Sequence, residues 1–157
     1  MRKVNAEEHL VEHYRAVSDL GSDFRNYNLF NLVSKMVKGN TVVDIGCGVA
    51  YLLNILKNKG KEVAGIEPSQ GMRELARKIN PKVPVVDGLA EDIDKLIKEP
   101  VDAVLMIDVL EHVEKDVEQV KKINSVLKIG GKFIFVVPAY PSLYGKRDKA
   151  MGHYKRY

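Results

Sequence analysis

The sequence predicts an α/β fold, a doubly wound and mostly parallel sheet of strand order 3-2-1-4-5 with helices on both faces. Three observations lead there. From Thr41 onward, short β-branched runs alternate with helical ones. Two strand-like runs, VDAVLMI and KFIFVV, are continuously apolar, as strands covered on both faces are. The first strand run ends in a glycine-rich turn, TVVDIGCGVA, that opens a helical pattern.

The elements follow in order. Leu10, Val11, Tyr14, Val17 and Leu20 recur at helical spacing, and Phe24, Tyr27, Phe30, Val33 and Val37 predict a second helix. Gly21-Ser22 separates the two, with Ser22 or Asp23 as N-cap. Strand TVVDIG then precedes helix VAYLLNILKNKG, which Gly60 closes. KEVAGIE precedes SQGMRELARKIN, capped by Ser69 and stopped by Asn80-Pro81. VPVV precedes LAEDIDKLIKE, and VDAVLMID precedes EKDVEQVKKINSVLK, which Gly130-Gly131 is expected to stop. KFIFVVP is the fifth strand. Right-handed crossovers give the strand order. Residues 1–157 read as a single domain, with 1–38 a helical lid, 41–138 a cofactor-binding core and 139–157 a basic C-terminal loop.

Hydrophobic content of 45% and charged content of 29% describe a globular chain. No apolar run reaches the length of a membrane span, and MRKVNAEEHLVEHY lacks the apolar core of a signal peptide. One cysteine makes no internal disulfide. A cytoplasmic location is expected. The net charge of +4 is concentrated: from Ser142 onward there are five basic residues (Lys146, Arg147, Lys149, Lys155, Arg156) against Asp148, leaving 20 of each sign before it. Such a tail suits either an acidic substrate or solvent. It is too short, on too balanced a chain, for a nucleic-acid partner.

In a doubly wound sheet the ligand crevice lies at the carboxyl ends of the strands. Those ends carry Asp44, Glu67, Asp87-Gly88 and Asp108. Glu67, at the end of the second strand, is placed to accept from both ribose hydroxyls of a nucleoside cofactor. A dinucleotide fingerprint needs a third glycine, where this chain has Tyr51. Asp44 before the turn would also repel a pyrophosphate. A cationic cofactor such as S-adenosyl-L-methionine would be attracted instead. Cys47 is expected to act through its backbone, since nothing in the sequence activates its thiol. His9 and His13 lie four apart on one helix without a third ligand nearby in sequence, so no metal site is expected.

Four segments resemble class I S-adenosylmethionine-dependent methyltransferases: VVDIGCGVAYLL their first motif, VAGIEPSQGM their second, VDAVLMIDVLEHV their fourth, and LKIGGKFIFVVP the approach to their fifth strand. The resemblance spans Val42 to Pro138. The closing PSLYGKRDKAMGHYKRY resembles a loop element of a subgroup associated with small molecules or lipid-linked sugars.

The resemblance implies a small-molecule methyl acceptor and S-adenosyl-L-homocysteine as product. It implies that Gly46, Cys47 and Gly48 pass under the methionine portion, with Asp44 supporting the ammonium. Glu67 would hold the ribose, and Pro68, Ser69 and Met72 would border the adenine. Where the family often has Gly-Asp-Ala, this chain has Gly88, Leu89 and Ala90, which leaves adenine recognition to their backbone or to Glu91 or Asp92. Ile107 and Asp108 would line the methionine end. His112 and His153 are the candidate general bases, and the N-terminal helices are expected to cover the cofactor with Tyr14 and Tyr27. The family's sheet continues past strand five, so KFIFVV is expected to be an exposed edge. A truncated chain, a homodimer paired through that edge, or a shortened cofactor- or partner-binding module without turnover would each account for it.

Overall fold

The computed structural model of the chain describes residues 24–157. The expected first helix with Tyr14, the Ser22 or Asp23 cap and the His9–His13 pair lie outside the described residues. Five parallel strands form one sheet of order β3-β2-β1-β4-β5, as expected. They are β1 (Thr41–Ile45), β2 (Glu62–Ile66), β3 (Val85–Val86), β4 (Val101–Ile107) and β5 (Leu127–Val136). The helices are α1 (Phe24–Met36), α2 (Tyr51–Asn58), α3 (Gln70–Ile79), α4 (Ile93–Leu96), α5 (Asp116–Val126) and α6 (Lys146–Ala150).

Alternation along β1 and β4 sends side chains to two separate cores. Val42, Ala103 and Leu105 pack with Val33 and Val37 of the α1 segment and with Leu52, Leu53 and Leu56 of α2. Val43, Ile45, Val104 and Met106 pack with Ile93 of α4 and with Ile123 and Val126 of α5. Each fully buried Leu or Ile contributes about 1.5–3 kcal/mol, so the two layers are what hold the sheet.

Register aligns the strand ends. Ile45 pairs with Ile66 on one side and Met106 on the other, so the residues after β1, β2 and β4 emerge at one level. The opposite end is fixed by Asp102. Its Oδ2 accepts from Asn40 N (2.7 Å), Thr41 N (2.8 Å) and Thr41 Oγ1 (2.9 Å), and Lys128 lies 3.0 Å from its Oδ1. These bonds hold its carboxyl far below the usual range.

Four expectations change. β3 is two residues long, because Pro84 has no N–H to donate and ladder pairing starts at Val85. The segment after it is one 3₁₀ turn, Ala90–Asp92, followed by the short α4. α5 stops at Val126, four residues before the glycines. Leu127 is captured by pairing with Val101, and the partner jumps from Leu127 to Lys132 between Val101 and Ala103. Gly130, at φ +78°, therefore serves a bulge in β5 rather than a helix stop. Finally, β5 is not buried on both faces: Ile134 is buried, while Phe135 is 47% exposed and stacks on Phe133 at 4.9 Å. β5 is the outer strand among the described residues, which leaves Phe135 uncovered.

Gly65 of β2 makes room for the turn after β1. A Cβ there would lie 2.4 Å from Cys47 Sγ and 3.0 Å from Leu53 Cδ1. Gly65→Ala should therefore destabilise by about 1–3 kcal/mol. Adding Cys47→Ala should recover part of that loss in a denaturant-melt double-mutant cycle; additive effects would contradict the contact.

Candidate functional site

The turn after β1 is built from two glycines with different tasks. Gly46 takes φ +69°, and a Cβ on it would lie 2.4 Å from Val109 Cγ2. Its N–H and that of Cys47 both donate to Ile66 O, at 2.8 and 3.3 Å, which bends the chain over the end of β2. Gly48 takes φ +53°, yet a Cβ there would meet nothing within 4 Å. Gly46 is thus required by the protein's own packing, whereas Gly48 faces open space. Burial, then the charges of Asp44 and Glu67, push the Cys47 thiol far up, so it stays protonated.

Two buried carboxylates flank the turn. Glu67 is 7% exposed; its Oε2 accepts from Gly48 N and its Oε1 from Ser69 N, both at 2.9 Å. These two bonds orient the carboxylate across the turn. Asp44 is 4% exposed, and its Oδ1 is buried without a hydrogen-bond partner. Burial, reinforced by the Glu67 charge, raises its carboxyl to about 7.

Ser69 caps α3, its Oγ accepting from Met72 N at 3.2 Å. Pro68 beside it is exposed. Met72 is buried against Val49 and Tyr51, and Phe30 of α1 packs on the same cluster. Tyr27, on that helix, is largely exposed. Arg73, which the sequence reading missed, ties two loops together: its Nη1 donates to Glu67 O and Pro68 O and pairs with Asp87 at 2.9 Å. A Cβ on Gly88 would strike Leu96 at 2.5 Å. Leu89 is exposed, and the Ala90 carbonyl already accepts from Gln119. Glu91 is exposed, and Asp92 pairs with Lys95. At the end of β4, Ile107 is half-buried and Asp108 adopts φ +53°, a conformation that non-glycine residues seldom hold, with its N–H on Val136 O at 2.9 Å.

The structure brings His112 and His153 together, their rings edge-to-face at 4.7 Å. They border a cavity of about 370 Å³ lined also by Asp108, Glu111, Pro138 and Arg147. The tail is held there by specific bonds. Asp148, almost fully buried, accepts from Arg156 Nε (2.8 Å) and Gly145 N (2.9 Å) and contacts His153 Nδ1 (3.2 Å). Tyr154 N donates to Glu111 O, and Lys155 and Tyr157 both reach Asp116 Oδ2. Burial, then the His153 charge, lowers the His112 imidazole below its ordinary value; burial foremost raises Glu111. Glu111, Asp148 and Arg156 were not singled out from sequence. The available signals were the Glu111-His112 pair directly after the fourth strand and the lone acid within a basic tail.

Residues 43–135 match the methyltransferase domain family. The chain belongs to that family. The resemblance to class I S-adenosylmethionine-dependent methyltransferases is thereby borne out. This methyltransferase domain is 35% identical over 133 residues to an uncharacterized methyltransferase of Geobacillus sp. (strain WCH70), covering 82% of the chain and 59% of that protein. It is 28% identical over 102 residues to the ubiquinone biosynthesis O-methyltransferase of Coxiella burnetii (strain Dugway 5J108-111), covering 63% and 44%. The chain thus spans about half the length of the curated relatives it matches. Its fold is shared with DesVI of Streptomyces venezuelae (TM-score 0.70, 17% identity, 90% of this chain and 62% of that one). It is shared too with S-adenosylmethionine-bound CalS10, an amino pentose methyltransferase of Micromonospora echinaspora (TM-score 0.67, 18% identity, 80% and 58%). No helix among the described residues is long and apolar enough to cross a membrane.

Asp44 gives a stability test. Its folded value, about 7, lies above its ordinary 3.8, so between those values the folded state binds the extra proton. Stability of the ligand-free chain should fall as pH rises across that window. Asp44→Asn should remove that component, raising Tm at about pH 8 by more than at about pH 5. Equal shifts at both would show that Asp44 is not the titrating group. In the same protein, native Cys47 should resist iodoacetamide at neutral pH and react only on unfolding.

Proposed function

We propose that this chain is the cofactor-binding and catalytic core of an S-adenosylmethionine-dependent methyltransferase that acts on a small molecule. The observation that carries the reading is Asp44, whose buried and unpartnered Oδ1 lies one residue from a glycine turn with open space at Gly48. A buried acceptor without a donor costs about 1–3 kcal/mol. A cationic ligand would both supply the donor and favour the ionised carboxylate. The residues present therefore fit the cofactor.

The bound cofactor supplies an electrophilic methyl group; the chain's residues bind, orient and exclude water. Gly46, Cys47 and Gly48 would present backbone to the methionine portion, with Asp44 at the ammonium. Glu67, fixed by its two backbone bonds, would accept from the ribose hydroxyls. Pro68, Ser69, Gly88, Leu89 and Ala90 would border the adenine, with Met72 backing that wall from the core. Ile107 and Asp108 would line the boundary between cofactor and acceptor. The acceptor would enter the cavity beside His112 and His153, either of which would be the candidate to take a proton from it. α1 would border the cofactor through Phe30.

A small-molecule acceptor is supported by the cavity's size and by the ubiquinone-pathway and amino-sugar enzymes among the similar proteins. A cytoplasmic location belongs to the same reading.

Calorimetric titration with S-adenosylhomocysteine tests the core of the proposal. Binding is expected, with Glu67→Ala weakening it at least about tenfold, the loss of two charge-assisted bonds. S-adenosylmethionine affinity should rise as pH increases through about 7, as Asp44 ionises. Absence of binding heat, or full affinity in Glu67→Ala, would overturn the assignment.

A further inference from the structure

We propose that Glu111, His112 and His153 form a binding site for one divalent transition-metal ion, next to the acceptor cavity. The inference starts from three ligand-type atoms, one from each residue, that all lie within 4.8 Å of one another. Two of these residues carry orphaned polar atoms. Glu111 is 1% exposed and its Oε2 has no hydrogen-bond partner; His153 is 9% exposed and its Nε2 has none. Native structures seldom leave two such atoms unmatched in one place.

The tautomer of His153 sharpens the argument. Asp148 receives Arg156 Nε and the Gly145 N–H, so its carboxylate is an acceptor towards every neighbour. His153 Nδ1, 3.2 Å from Asp148 Oδ1, is therefore the protonated nitrogen, and Nε2 carries the lone pair. A lone-pair nitrogen and a carboxylate oxygen, neither with a donor, thus belong to residues whose ligand-type atoms gather within 4.8 Å. A cation satisfies both. A carboxylate holding the far nitrogen of an imidazole is also how metal-ligating histidines are oriented. His112, the exposed member, completes a set of two imidazoles and one carboxylate and stands on the cavity side. That set suits Zn²⁺, Mn²⁺ or Fe²⁺ rather than Ca²⁺, which prefers oxygen ligands alone.

Three protein ligands leave a coordination position for a ligand from the cavity. Resting on the function proposed above, this position would take a hydroxyl oxygen of the acceptor and lower its pKa, so that its proton passes to solvent water before the oxygen takes the methyl group from the cofactor's sulfur. The class of acceptor is then an alcohol or phenol, and the two histidines hold the ion instead of acting as free bases.

The test uses the full chain without a histidine tag, stripped with chelator, titrated calorimetrically with Zn²⁺ and with Mn²⁺ alone. Binding of one equivalent is expected for at least one ion. Glu111→Gln and His112→Ala should each weaken it about tenfold or more, and Asp148→Asn by about 10–100-fold, with circular dichroism unchanged. His112 is exposed, so its variant keeps the test open if a buried one fails to fold. No one-equivalent binding of either ion, or unaltered affinity in both ligand variants, overturns the site. S-adenosylhomocysteine titration of the same samples separates the two proposals. Retained nucleoside binding without metal binding sinks only the metal site, and the reverse sinks only the cofactor assignment.

Discussion

The Glu67 carboxylate is the constraint on which the site depends. It is one side chain, fixed at the end of β2, whose two oxygens hold the Gly48 N–H of the turn after β1 and the Ser69 N–H at the start of α3. Those two segments follow adjacent strands, so a single carboxylate sets the spacing between glycine turn and helix start. Asp44, raised first by its own burial, is raised further by the Glu67 charge beside it. The polar centre is thus held in a state that favours a cation before any ligand arrives. Gly65 extends the dependence downward: only a residue without a side chain lets Cys47 lie against β2 and keeps the turn close enough for Glu67 to reach it.

The fold was legible in the sequence for a physical reason. A parallel sheet buries its central strands on both faces, and that burial demands runs such as VDAVLMI, whose Ala103 to Met106 are fully buried. The edges were less legible because packing constrains them less. β3 shrinks to two residues at Pro84, and β5 starts early because pairing with Val101 outcompetes one more helical turn. In the site, Asp44 and Glu67 could be read because strand ends and turns are local signals. Arg73 could not, since its role is to bridge the loops after β2 and β3, and nothing in a linear pattern marks such a bridge. Met72, which the resemblance puts beside the adenine, is buried beside Val49 and Tyr51, a packing role that its spacing on α3 does not reveal.

The C-terminal segment shows why charge composition has to be read together with pairing. Its five cations suit either an acidic ligand or solvent. In the fold, Arg156 is held by Asp148 and Lys155 by Asp116, so part of that charge is structural. Asp148 matters more than its count of one suggests. It is buried, and a buried carboxylate without donors is costly, so its presence requires Arg156, His153 and the Gly145 N–H to converge on it. That convergence fixes the direction of the His153 ring. His153, a candidate base in the sequence, is thus an oriented imidazole whose Nδ1 is held by Asp148.

Separation along the chain explains why this second centre escaped notice. Glu111 and His112 follow β4, while His153 arrives from the far end of the chain. They meet because Tyr154 N bonds Glu111 O and Tyr157 N bonds Pro138 O, two backbone bonds that lay the tail across the ends of β4 and β5. The two centres share a border at Asp108, whose left-handed backbone turns the chain from the crevice side of β4 into the Glu111-His112 turn. A strained residue persists only where its surroundings over-determine it. Here the bond from its N–H to Val136 O anchors the turn on β5. The strain at Asp108 is then the local cost of turning the chain from the end of β4 into the Glu111-His112 segment.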